Sequence, residues 1–195
     1  MMATFLIFFI IRCLIANATN RTYSGNVAEY CELGCVNTNK THGVCANPEK
    51  KLIENCPPDA NIISLHEFQA IILSLHNEMR NSVAAGLELP KLPPAAHMGE
   101  MFWDKKLADL AEYSARRCLI ADPYCYRTPE CPEPGRSANN YKFPTTKVEY
   151  EQIVPSRVIE WLNTSAEVTP AMVVSFPEKP KGHADFFGRC HFGKK

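Results

Sequence analysis

The spacing of apolar side chains predicts three amphipathic helices. In the first, Ser64 and Glu67 have the spacing of a capping box, and Gly86 has the position of a helix C-terminal residue. Asp104 caps the second, which is expected to end at Cys118, and the third begins near Pro155 because proline is tolerated in a first turn. The residues expected to face inward are Phe68, Ile71, Ile72, Leu75, Met79, Val83, Leu107, Leu110, Ala111, Ala115, Val158, Ile159, Trp161 and Leu162.

Other segments lack this helical periodicity. Residues 19–58 are rich in Asn, Gly, Thr and Cys, and such a segment cannot bury a core of its own. We interpret it as an arm that covalent bridges hold against a domain formed by residues 59–195. Residues 123–144 contain five prolines and are predicted to be an extended loop. Met172 to Phe176 is an apolar run between two prolines, which predicts a short strand.

The first eighteen residues have the pattern of a secretory signal peptide. Phe5 to Ile11 is an uninterrupted apolar run, too short to span a bilayer, and Ala16-Asn17-Ala18 is a small-x-small cleavage site. Arg12 interrupts the pattern, so a membrane-tethered N-terminus stays as the alternative. Removal of residues 1–18 takes Cys13 with it and leaves eight of the nine cysteines. An even number of cysteines in an exported chain indicates a disulfide framework.

Composition narrows the classes of partner. The formal net charge is zero and no basic stripe is present, so nucleic acid is not an expected partner. Apolar residues make up 46% of the chain, which excludes wholesale disorder. Asn20, Asn39 and Asn163 each begin an Asn-x-Ser/Thr sequon, so N-glycosylation is predicted at these three positions.

Several motifs occur in an order that resembles a known family. They are Tyr30-Cys-Glu-Leu-Gly-Cys35, Leu75-His-Asn-Glu-Met-Arg80, Ala84-Ala-Gly-Leu-Glu88, Pro94-Ala-Ala-His-Met98, Met101-Phe-Trp-Asp-Lys-Lys-Leu-Ala108 and the pair Cys118 and Cys125. Together they resemble the superfamily of cysteine-rich secretory proteins, antigen-5 venom allergens and plant pathogenesis-related proteins. The arthropod antigen-5 group is the most similar branch. The match is close from about residue 30 to residue 125.

This resemblance implies an α/β fold, an α-β-α sandwich with a small antiparallel sheet between helices. The family normally continues beyond Gly182-His183 through further strands, so we expect the C-terminal strands to be incomplete by truncation.

The resemblance also selects among the 105 disulfide pairings that eight cysteines allow. The pairings implied by the antigen-5 arm are Cys31–Cys45, Cys35–Cys125 and Cys56–Cys118, which leaves Cys131–Cys190 by elimination.

The resemblance also implies a cleft lined by two histidines and two glutamates, which holds a divalent metal in some members. Here Asp122 stands where one histidine is expected, Arg136 and Thr164 stand at the two acidic positions, and only His183 matches. One imidazole and one carboxylate are too few ligands for a closed metal site. We therefore expect no cofactor and no enzymatic activity. A divalent metal held by His183 and Asp122 is the alternative.

The sequence therefore predicts a secreted, monomeric antigen-5-like protein. It would bind an extracellular protein or a small lipid-like ligand without catalysing a reaction. The alternative is a metal-dependent hydrolase in which His183 and Asp122 hold the metal and a bound water is the nucleophile. His76 follows Leu75 at the edge of a buried helix face, and we interpret it as a structural histidine that bonds a carbonyl.

Overall fold

The computed structural model describes a helical protein with little extended structure. It describes residues 25–36, 39–87, 92–94, 98–132, 134 and 149–174. Within these ranges there is no helix long and apolar enough to cross a membrane. The helices are α1 (Val27–Leu33), α2 (Gly43–Ala46), α3 (Gln69–Ala84), α4 (Lys105–Ala115), α5 (Tyr150–Asn163) and α6 (Pro170–Val174).

The predicted antiparallel sheet is not among the described residues. Extended pairing there is limited to one parallel bridge between His42 and Cys125, in which the Gly43 amide donates to the Cys125 carbonyl at 2.8 Å. The chain divides into two compact units. The first contains residues up to 62 together with 104–146, and the second contains residues 63–103 and those from 147 onward.

Three disulfides between described residues cross-link the first unit. Their Cα atoms lie 5.3, 5.9 and 5.2 Å apart, all inside the range that a disulfide spans without backbone movement. Cys131 is bonded as well, and its partner lies outside the described residues, so the predicted Cys131–Cys190 bridge stays a prediction. The three described pairs are the ones that the resemblance implies, namely Cys31–Cys45, Cys35–Cys125 and Cys56–Cys118.

The core of the first unit forms where α2 packs on α4. Asp104 caps α4 as predicted, its carboxylate accepting from the Leu107 amide at 3.1 Å. The helix ends at Ala115 rather than at Cys118, because Cys118 has a φ of 52° that no α-helix continues. The buried residues of this core are Tyr30, Val44, Leu107, Leu110, Tyr113, Tyr126 and Cys131.

The second unit is built on the packing of α3 against α5. Gly86 ends α3 as predicted. Its φ is 74°, its amide donates to the Val83 carbonyl at 3.0 Å, and the Leu87 amide donates to the Ser82 carbonyl at 3.0 Å. These two bonds form a Schellman motif, in which glycine meets no steric penalty at positive φ.

The N-terminus of this helix differs from the predicted capping box. Ser64 accepts from the His66 amide at 3.3 Å, rather than from Glu67, and the chain first forms a 3₁₀ turn over Leu65–Phe68. A 3₁₀ turn brings the second amide rather than the third toward the serine hydroxyl. The position of the cap was therefore correct and its geometry was wrong.

In the second unit, one predicted helix is present but its predicted start was wrong, and one predicted strand was wrong. The helix expected near Pro155 begins five residues earlier at Tyr150, so Pro155 lies inside α5 and removes one backbone donor close to the first turn. Met172 belongs to α6 and not to a strand. Thr169 accepts from the Met172 amide and Pro170 takes the first helical position, so local helix-starting signals prevail over the β-branched residues.

Two residues predicted to face inward are exposed. Ile71 is 39% exposed on α3 and Ile159 is 43% exposed on α5. The buried side of α5 consists instead of Val154, Val158, Trp161 and Leu162.

Candidate functional site

Asp122 lies in the loop between Cys118, which is bridged to Cys56, and Cys125, which is bridged to Cys35. Its side chain has no exposed surface, so every charge and polar atom there must be satisfied internally. Its Oδ2 accepts from the Ser114 hydroxyl at 3.0 Å and from the Tyr126 hydroxyl at 2.5 Å. Its Oδ1 accepts from the Tyr124 amide at 3.1 Å.

Arg117, in the turn after α4, supplies a positive charge to the same carboxylate. Arg117 follows Ser114 by three residues and so lies on the same side of the chain. Its Nε is 3.6 Å from Oδ1 of Asp122, and its guanidinium lies 3.9 Å from the centroid of the Tyr124 ring. The buried charge of Asp122 is therefore balanced by an arginine that an aromatic ring covers.

Tyr126 connects this carboxylate to the arm. Burial, together with the hydrogen bond to Asp122, raises the pKa of the Tyr126 hydroxyl, which therefore stays protonated and donates. The other side of the ring packs against Gly43 at the start of α2. A Cβ at position 43 would lie 2.1 Å from the ring, so only glycine allows this contact.

His42 completes the junction on the arm side. It is 1% exposed and stacks on Tyr30 with ring centroids 4.9 Å apart. Its Nδ1 accepts from the Val44 amide at 3.3 Å, so the proton of the neutral ring is on Nε2, which donates to the Arg127 carbonyl at 3.1 Å. Burial is the main cause that lowers the pKa of His42, so the imidazole is neutral.

The surroundings of Asp122 do not fit a metal ligand. Both oxygens face hydrogen-bond donors and a guanidinium, whereas a metal ion needs lone pairs directed at it and would add a second positive charge. Among the residues that the structure describes, no three His, Cys, Asp or Glu side chains come together as a metal site. His183 lies outside the described residues, so the predicted pair of ligands stays a prediction.

The second unit holds the predicted structural histidine. His76 is fully buried, and its Nδ1 donates to the Ile72 carbonyl at 2.8 Å, which confirms that it bonds a carbonyl. Burial, aided by the nearby Arg80, lowers the pKa of His76 to about 4. A neutral imidazole held in this way is a packing element of α3.

Asn77 and Arg80, which follow His76 on α3, form hydrogen bonds to the backbone of the segment before α4. Asn77 exchanges two hydrogen bonds with the backbone of Met101, at 2.8 and 3.1 Å. Arg80 donates from Nε and Nη2 to the Gly99 carbonyl at 2.9 and 2.6 Å. The motif that supports the family resemblance thus acts structurally in this unit.

The remaining predicted positions are only partly described. Thr164, at one of the family's acidic positions, donates its hydroxyl to the Trp161 carbonyl at 2.6 Å. The sequon residues Asn39 and Asn163 are both exposed, the second as the last residue of α5. Arg136 and Asn20 lie outside the described residues.

Sequence reasoning missed the residues that surround Asp122. Ser114 and Tyr126 carry no motif, and their hydrogen bonds to Asp122 depend on how the loop turns back on α4. His42 bonds a residue 85 positions away, for which no local signal exists. A buried Ser within the apolar face of α4 was the one available hint.

Comparison with known proteins gives a consistent set of relatives. The chain is 27% identical to the antigen 5 like allergen Cul n 1 of Culicoides nubeculosus over 68% of this chain and 59% of the relative. It is 25% identical to venom allergen-1 of Aedes aegypti over 80% of this chain and 60% of the relative. It is 27% identical to a venom allergen 3 homolog of Dinoponera quadriceps over 80% of this chain and 68% of the relative.

These alignments cover about 60% of the length of the first two relatives. No solved structure gives a significant match. The model of the cysteine-rich secretory protein family, CAP, matches residues 73–191, which is more than half of the chain. With the bridges and the antigen-5 relatives, this match shows that the chain belongs to the CAP family and is similar to the venom allergen 5-like proteins.

Proposed function

We propose that this protein is secreted, is not an enzyme, and presents a rigid surface to an extracellular protein. The observation that carries the proposal is the pair of bridges, Cys35–Cys125 and Cys56–Cys118, that joins the arm to the loop after α4. Such bridges persist in oxidising compartments, so they support an extracellular location. The antigen and allergen names of the relatives agree with export.

The chemistry around Asp122 supports a non-enzymatic role. The carboxylate is inaccessible and engaged by four protein groups, so it cannot act as a general base or hold a catalytic water. His76 is equally buried.

Phe102 is the described side chain best suited to contact a partner protein. It is 78% exposed, although it lies between Gly99 and α4 in a segment that Asn77 and Arg80 hold by four hydrogen bonds. An aromatic side chain on a backbone already ordered loses little entropy on binding. Aromatic residues are also enriched among interface hot spots. A small lipid-like ligand is the alternative that the sequence raised.

The first experiment tests export and activity. The full chain is expressed in cultured insect cells, with Phe8→Arg as the control that interrupts the apolar leader. We expect oxidised wild-type protein in the medium, cleaved after Ala18, and retention of the control in the cells. We also expect no hydrolysis of ester or peptide probes. Wild-type protein that stays in the cells, or turnover of a probe, contradicts the proposal.

The second experiment tests the contact surface. Purified Phe102→Ala and wild-type protein are mixed with extracellular proteins from conditioned medium, and complexes are separated by size and identified by mass. Leu87→Ala removes another exposed apolar side chain, 76% exposed, and is the matched control. We expect the complex to be lost in Phe102→Ala alone. A lipid found by native mass spectrometry, with no protein complex, favours the lipid-like alternative.

A further inference from the structure

We infer that Asp122 is a structural acceptor that fastens the Cys118–Cys125 loop to α4, and that this acceptor replaces a metal ligand at this position of the family cleft. This inference is independent of the proposed function. It rests on the identity of the groups that meet the carboxylate and on its complete burial.

The groups around Asp122 are donors on every side that the structure describes. Ser114 and Tyr126 both direct hydroxyls at Oδ2, and the Tyr124 amide is directed at Oδ1. Hydrogen bonds to an ionised carboxylate are about twice as strong as neutral ones. A metal ion at Oδ2, which already accepts two hydroxyls, would have to displace one of them and leave it buried without a partner.

The charge at the site is also already balanced. Arg117 Nε lies 3.6 Å from Oδ1, and its side chain is only 9% exposed, with the guanidinium over the Tyr124 ring. A divalent cation on the carboxylate would face this guanidinium in a region of low dielectric. The repulsion opposes binding whatever other ligands reach the site.

The three hydrogen-bond donors and the guanidinium that meet Asp122 come from separate parts of the unit. Ser114 and Arg117 belong to α4 and its end, whereas Tyr124 and Tyr126 belong to the loop on either side of Cys125. Asp122 therefore joins the loop to the helix at a point between two disulfides. Through Tyr126, which packs on Gly43, the same carboxylate supports the docking of the arm.

The test measures urea unfolding of the full oxidised protein with EDTA or with zinc. We expect Asp122→Asn to raise the unfolding equilibrium constant in EDTA by roughly tenfold to a hundredfold, as for loss of hydrogen bonds to a buried charge. Asp109→Asn, which changes a 46% exposed carboxylate on α4, is the control and should change it by less than about fivefold. Zinc should shift wild type and Asp122→Asn equally or not at all.

Tyr126→Phe provides a second variant if Asp122→Asn fails to fold. This change removes one hydroxyl and should destabilise the protein in EDTA. Its effect should be coupled to position 122, so that the double variant loses less free energy of unfolding than the two single variants combined. Unaltered stability of either variant in EDTA overturns the inference. So does a zinc stabilisation of wild type that Asp122→Asn abolishes, or independent effects in the double variant.

Discussion

At the scale of single residues, the buried polar side chains of this protein mostly satisfy the backbone. His76 bonds the Ile72 carbonyl, Arg80 bonds the Gly99 carbonyl, and Asn77 bonds both backbone groups of Met101. His42 does the same in the first unit through the Val44 amide and the Arg127 carbonyl. Such contacts order loops that could not otherwise pair their backbone groups. They also make stability depend on the protonation of two histidines.

His76 should make stability fall in mild acid. Its pKa in the folded state is about 4, below the ordinary value of 6.5, so the folded protein binds fewer protons than the unfolded chain. The stabilisation is complete above about pH 6.5 and is lost as the pH falls toward 4. The shift corresponds to a loss on the order of 3 kcal/mol. Urea unfolding at several pH values between 7.5 and 4.5 measures it.

The control for this prediction is His76→Phe, which keeps an aromatic ring of similar size and cannot titrate. The variant should be less stable at pH 7, because the imidazole hydrogen bond to the Ile72 carbonyl is lost, and should show a weaker dependence on pH. His42 has a lowered pKa too and retains part of the slope in the variant. An equal slope in both proteins would show that His76 is not the titrating group.

At the scale of elements, the helices follow the sequence where their ends are short-range signals. Asp104 and Gly86 were predicted correctly because a cap involves residues within five positions of each other. The start of α5 was wrong because Pro155 resembles a first-turn residue, while the buried Val154 before it shows that packing extends the helix. In that case tertiary packing, rather than the local preference of proline, set the start of the helix.

The close contact between α2 and Tyr126 gives a prediction at this scale. Gly43→Ala places a Cβ 2.1 Å from the Tyr126 ring, so α2 or the ring has to move. We expect a loss of about 1–3 kcal/mol, the usual cost of overpacking a core. Thermal unfolding of the oxidised protein measures it.

Gly34→Ala is the matched control, since it lies in the same arm at the end of α1. Nothing lies within 4 Å of its Cβ position, but its φ is 57°, so this change tests backbone strain without a clash. We expect Gly34→Ala to lower the free energy of unfolding by about 1 kcal/mol. If Gly43→Ala is no more destabilising than Gly34→Ala, the contact with Tyr126 is not tight.

At the scale of the whole molecule, the described disulfides organise the first unit. Cys35–Cys125 and Cys56–Cys118 bridge 90 and 62 positions of sequence, while Cys31–Cys45 closes only 14. The two long bridges are nested. With one of them intact, the other closes a ring made only of segments 35–56 and 118–125.

This nesting predicts the cost of removing each bridge. Replacing both cysteines of either long pair by serine should cost about 3 kcal/mol, close to the cost for Cys31–Cys45, because the remaining bridge still shortens the loop. Removing both long pairs should cost at least the sum of the two single losses and release the arm. Denaturant unfolding and limited proteolysis of the arm measure these effects. A single long pair whose loss alone releases the arm would contradict the nested arrangement.

Local order and the roles of His76 and Asp104 were readable in the sequence, and the role of Asp122 was not. Helical periodicity and the caps at Asp104 and Gly86 determined α3 and α4, and the resemblance supplied the three described bridges. The role of Asp122 was decided only by tertiary structure. Its partners on α4 and in the loop become neighbours only after the loop folds back on the helix. Chain periodicity reports burial, whereas the partners of a buried charge depend on contacts that only the folded backbone creates.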